Sequence, residues 1–151
     1  MRSAVEELVY RSCLLLDEHD FGGFLALCTD DFRYTVEAFS PEIRKNMIWL
    51  DHDKAGMKSL FETLPRHFSD PSPVTRHVTV YTVTFDTDGP RAAVVSALQV
   101  FRTALDGGTT SLFAVGKLYD TVVMTDGRVA LAKRVLRLAT RDLGIGSHVP
   151  L

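Results

Sequence analysis

Three residues have side chains suited to acid–base chemistry: His77, Asp120 and Tyr34. An imidazole titrates near neutral pH and can relay a proton. A carboxylate in an apolar pocket can act as a general base, and a phenol can donate to a substrate oxygen. Each also has a plainer reading. His77 and Tyr81 stand four apart in a β-branched run, so they share one strand face, where a packed His has one nitrogen hydrogen-bonded. Asp120 lies on the face of Leu118 and Val122, with Lys133 as its expected partner across a hairpin. Tyr34 is expected in the core with its hydroxyl satisfied. Metal chemistry needs a tighter pattern. His19, His52, His67, His77 and His148 are scattered, with neither an i, i+4 helical pair nor an alternating pair. Cys13 and Cys28 build no Cys-x-x-Cys or Cys-x-His unit, and both read as buried, reduced thiols. The chain is therefore expected to hold no metal and no cofactor of its own. It also lacks a Ser-His-Asp pattern, a phosphate loop and a dinucleotide fingerprint.

The elements that must position these residues are mostly strands. Thr125-Asp126-Gly127-Arg128 reads as a type I′ turn, because Asp-Gly accepts positive φ at both central positions. Leu112 to Met124 and Val129 to Leu138 flank it as strands. A two-residue loop then predicts a register: Met124 opposite Val129, Val122 opposite Leu131, Asp120 opposite Lys133, Leu118 opposite Val135. On the other face it sets Tyr119 against Arg134, Thr121 against Ala132 and Val115 against Leu138. Val74 to Phe85 is a further strand, with His77, Tyr81 and Phe85 on one face and Arg76, Val78 and Val80 on the other. Asp86 to Pro90 turns it into a long strand, Arg91 to Leu105, and Asp106-Gly107-Gly108 leads to the strand from Thr109. Strands this long belong to curled, bulged sheets. Many of their positions are apolar on both faces, so the second face wants a partner chain.

Helices come first. Ser3-x-x-Glu6 predicts a capped start, and Val5, Leu8, Val9, Ser12, Cys13 and Leu16 form the apolar stripe. Asp20 is expected to cap a short helix bearing Phe21, Phe24, Leu25 and Cys28, before an alternating strand from Phe32 to Val36. Residues 37–52 are ambiguous, with Met47 to Leu50 either a strand or a buried turn. Asp51 or Asp53 should cap a third helix with Met57, Leu60, Phe61 and Leu64 inside, closed by Pro65. A loop follows over Ser69 to Pro73. Helices followed by a meander define an α+β class, a cone of curled antiparallel sheet wrapped around the first helix.

The chain has 151 residues, 46% of them apolar and 24% charged, which fits one domain spanning 1–151. A net charge of −2 does not favour nucleic acid or an anionic membrane. The start is too acidic for a signal peptide, and no apolar run reaches transmembrane length, so a cytoplasmic location is expected.

At this point the residues resemble a family. Leu15-Leu16-Asp17, followed by Asp20-Phe21-x-x-Phe24-Leu25-x-Leu27-x-x-Asp30-Asp31-Phe32-x-Tyr34, is similar to the opening of nuclear-transport-factor-2-like (cystatin-like) cone domains. Asp70-Pro71-Ser72-x-x-Thr75-Arg76-His77-x-x-x-x-Tyr81 resembles a segment of the small (beta) subunits of ring-hydroxylating oxygenases. Val100-Phe101-Arg102, Gly116-Lys117-Leu118-Tyr119-Asp120 and Arg134-Val135-Leu136-Arg137-Leu138 fit the same pattern. The resemblance implies a non-catalytic beta subunit of a Rieske non-haem iron oxygenase, in a hexamer of three alpha and three beta subunits. The Rieske cluster and mononuclear iron would belong to the alpha subunit, and a beta trimer would use the outer sheet face. The substrate implied is aromatic, or a small organic acid or sulfonate. Two alternatives stand beside it: a free-standing cone enzyme, similar to ketosteroid isomerases or dehydratases, using His77, Asp120 and Tyr34, and a non-catalytic ligand-binding cone.

Overall fold

The structure is a computed structural model, and it describes residues 1–63 and 72–141. Helix α1 (Arg2–Asp17) and helix α2 (Phe21–Ala26) precede strands β1 (Cys28–Ser40) and β2 (Lys45–Asp53). Helix α3 (Lys54–Thr63) follows, then β3 (Val74–Phe85), β4 (Arg91–Thr103), β5 (Thr110–Thr125) and β6 (Arg128–Leu138). The six strands form one sheet in the order β2-β1-β6-β5-β4-β3, curled and unclosed. Neighbours are antiparallel except β1 and β6, which run parallel. That pairing places the first strand beside the last, an arrangement local periodicity does not encode. The expected stripe residue Leu64, the closure of α3 by Pro65, and residues 69–71 of the expected loop lie outside the described residues.

The apolar stripe of α1 is buried as its spacing predicts, with Val5, Val9 and Leu16 wholly inside. Its expected cap is not. The helix begins at Arg2 with no side-chain cap, so Ser3 already lies within the first turn, and Glu6 pairs with Arg2 at 3.0 Å instead. Asp20 does cap α2, accepting the Gly23 N–H at 2.9 Å, and Asp53 caps α3 through Gly56 N–H at 2.8 Å. Cys28 opens β1 rather than closing α2. The ambiguous 37–52 stretch continues β1 and then forms β2, with Met47 to Leu50 in the strand. The aromatic rings of Phe21 and Phe61 stack at 4.3 Å and tie α2 to α3.

The long strands curl by bulging. Register shifts occur at Val36/Glu37, Val80/Thr82, Val100/Phe101 and Thr121/Val122. Each inserts a residue that bends the strand and steepens its twist. The Asp126-Gly127 turn has positive φ at both positions, +52° and +75°, as type I′ requires. The predicted register holds for Met124–Val129 and Val122–Leu131, with Val123 opposite Ala130 between them. Beyond that the bulge leaves Ala132 unpaired and every later pair moves by one. Thr121 faces Lys133, Asp120 faces Arg134, Tyr119 faces Val135 and Leu118 faces Leu136. Leu131 and Ala132 are both buried, which marks the change of phase in β6.

Candidate functional site

The inner face of the sheet carries a fully enclosed ion pair. Asp120 on β5 and Arg134 on β6 face each other and are both fully enclosed. Arg134 Nε donates to Asp120 Oδ1 at 2.8 Å and Nη2 donates to Oδ2 at 2.9 Å, a bidentate fork. The expected partner Lys133 is exposed on the opposite face, because the bulge at Ala132 turns Arg134 inward in its place. The Tyr119–Arg134 pairing fails for the same reason, and Arg137 lies over the Tyr119 ring at 4.6 Å. Ser12 of α1 completes the cluster. Its hydroxyl accepts from Arg134 Nη2 at 2.8 Å and donates to Val9 O at 2.6 Å. Burial works against the charge on Arg134, but the adjacent Asp120 carboxylate outweighs it and holds the guanidinium's pKa above its ordinary value. Arg134 Nη1 and Ser96 Oγ are buried without a hydrogen-bond partner among the described residues.

Of the three candidate acid–base residues, two share a face. Tyr34 on β1 is fully buried beside Arg134, its neighbour in the parallel ladder, so Tyr34 and Asp120 flank the same guanidinium. His77 does not join them. It stands on the outer face, exposed, its ring 4.9 Å from Phe101, while its neighbour Arg76 points inward. Both oxygens of Asp120 are already engaged, and the group has no exposure through which a substrate could reach it. The arrangement locks α1, β5 and β6 together; it does not present a base to a ligand. The reading as a free-standing acid–base cone enzyme is not favoured.

A second cluster joins two stretches that stood apart in the sequence. Asp17, at the end of α1, takes Arg76 Nη1 at 2.6 Å and accepts the Arg76 backbone N–H at 3.1 Å. Sequence reasoning gave neither Asp17, Ser12 nor Arg134 a role in a site. A signal existed: Arg76 and Arg134 each share strand parity with inward apolar residues, the half-buried Val78 and the buried Leu136, where a charge needs a partner. On the outer face His77, Thr79, Tyr81, Gln99 and Lys117 line a shallow depression of about 290 Å³. Among the described residues no group of three His, Cys, Asp or Glu side chains is placed to hold a metal. His67 and His148 lie outside the described residues. No helix among the described residues is long and apolar enough to cross a membrane, which says nothing of a β-barrel.

The SnoaL-like domain family matches residues 1–135. The chain is 41% identical over 155 residues to the methanesulfonate monooxygenase hydroxylase subunit beta of Methylosulfonomonas methylovora, covering 98% of this chain and 86% of that protein. It is 30% identical over 148 residues to the 2-aminobenzenesulfonate 2,3-dioxygenase subunit beta of an Alcaligenes species, covering 98% and 97%. Among solved structures it is similar in fold to a Novosphingobium aromaticivorans protein described as an aromatic-ring-hydroxylating dioxygenase beta subunit. There the TM-score is 0.80 at 21% identity, over 93% of this chain and 90% of that one. A cone whose interior is tied by an ion pair, matched along its length by two oxygenase beta subunits, belongs to the SnoaL-like family and, within it, to the beta subunits of multicomponent oxygenases.

Proposed function

We propose that this chain is the non-catalytic beta subunit of a Rieske-type oxygenase that acts on a small organic or aromatic sulfonate. The observation that carries the non-catalytic reading is the enclosed Asp120–Arg134 fork, which engages both oxygens of the carboxylate buried inside the cone. The sulfonate reading is supported by the names of the two relatives, which act on methanesulfonate and on 2-aminobenzenesulfonate. In this reading residues 1–151 form one domain and work in the cytoplasm. The Rieske cluster and mononuclear iron sit in an alpha subunit, and three copies of this chain form a trimer through the outer sheet face within an assembly of three alpha and three beta subunits.

Co-expression with an alpha subunit tests this directly. The two should co-purify, and oxygen uptake with methanesulfonate or 2-aminobenzenesulfonate, with reducing equivalents supplied by an added electron donor, should require both. The chain alone should show no turnover and no stoichiometric iron or zinc. Turnover by the lone chain, or one tightly held metal per chain, would overturn the reading.

A further inference from the structure

β3 is a terminal strand of the sheet, so among the described residues its outward N–H groups have no strand partner. Such an edge is a template for pairing with another chain. Here α1 reaches over it. Tyr10 Oη accepts the Val80 N–H at 3.2 Å. The Asp17 carboxylate accepts the Arg76 N–H at 3.1 and 3.2 Å and holds the Arg76 guanidinium. In an antiparallel ladder alternate residues turn their N–H to the same side, so Arg76, Val78 and Val80 are successive outward donors. Helix and strand spacing agree. Tyr10 and Asp17 are two helical turns apart, about 10.5 Å, and Arg76 to Val80 spans about 13 Å of strand. The Arg76 side chain is 1% exposed, so salt screens this clasp little. The opposite edge is blunted differently, with Lys45, Asp51 and Asp53 among the nine residues of β2.

We propose that Tyr10 and Asp17 are an edge guard: they close β3 to strand addition by a second copy of this chain, leaving the outer sheet face as the surface through which copies meet. The choice of face rests on the self-association reading above; the closure of the edge does not. Tyr10 is 44% exposed, so changing it leaves the core intact.

The full chain carrying Tyr10→Phe or Tyr10→Ala tests the guard. Amide exchange at Val80 should quicken several-fold in both, while the Arg76 amide stays slow. Tyr10→Ala should also form concentration-dependent species larger than the wild-type assembly in sedimentation velocity. Adding Val78→Pro, which removes an outward donor without breaking the β3–β4 ladder, should abolish those species. Unchanged Val80 exchange in Tyr10→Phe overturns the proposal. So does an absence of new association in Tyr10→Ala, or association that survives Val78→Pro. A wild-type chain sedimenting as a monomer would refute the trimer and leave this test standing, because the readout is the increase over wild type.

Discussion

A buried ion pair is tolerated only when each charge is answered, since removing one partner strands the other in low dielectric. Asp120 and Arg134 are wholly enclosed, so their mutual fork is what makes either charge possible there. Asp120→Asn should therefore lower unfolding free energy by about 3–5 kcal/mol, and Arg134→Met should do comparable damage. The double mutant should be much less damaged than the sum in a denaturant double-mutant cycle. Lys133→Met, on the exposed face, should show no coupling to Asp120. The sequence-level expectation paired Asp120 with Lys133 because the turn alone sets register, and nothing in Ala132 announces a bulge. A second residue-scale outcome concerns the thiols. Burial pushes Cys28 up to about 12 from an ordinary 9.0, and raises Cys13 also. A raised acid favours its neutral form in the fold, so this stability is complete below pH 9.0 and is lost as pH rises toward about 12. Denaturation midpoints of wild type and Cys28→Ala should converge across that window. Alkylation of either thiol should be negligible in the native protein at pH 8.

At the scale of elements, the β5–β6 hairpin uses two glycines for different reasons. Gly127 has φ of +75° and nothing within 4 Å of the place a Cβ would take. Gly127→Ala should cost about 1–2 kcal/mol from backbone conformation alone. Gly116 has ordinary φ, but a Cβ there would lie 2.6 Å from Arg137 O, a backbone atom of the neighbouring strand. Gly116→Ala forces β5 and β6 apart where Leu138 also pairs, so it should cost at least as much and should quicken amide exchange in both strands. Thermal melts and exchange profiles of the two variants separate the cases. Turn chemistry and alternation made β3 through β6 legible nearly to their ends, because Asp-Gly and β-branched runs act locally. β2 was ambiguous: Met47, Ile48, Trp49 and Leu50 are consecutive apolar residues with no alternation to read. The parallel pairing of β1 with β6 joins residues about a hundred positions apart, which no window of local sequence contains.

At the scale of the whole molecule, the cone has one finished face and one unfinished face. Inward, Val94, Leu98, Val100, Leu118, Val122 and Leu136 are buried against the helices. Outward, Val95, Ala97, Phe101, Val115, Tyr119 and Val135 are only half-buried in the isolated chain. The Arg137 guanidinium covers one of these rings, that of Tyr119. Half-buried apolar residues on this face are what the proposed trimer would cover. Ala97 is the place to test it, because it lines the shallow depression with His77 and Lys117 and alternates along β4 with the buried Ser96 and Leu98. Ala97→Glu puts a charge where copies are proposed to meet, and desolvating an unpaired carboxylate there is costly. The inward packing is untouched, so the melting temperature of the dilute chain should change little. Sedimentation at micromolar concentration should shift from the wild-type assembly to the monomer. With the alpha subunit present, turnover should fall in proportion to the assembly lost, and turnover per assembled complex should stay constant. An Ala97→Glu chain that assembles as wild type does would place the association surface elsewhere on the cone. A fall in turnover per assembled complex would mean that this face contributes to the reaction as well as to the assembly.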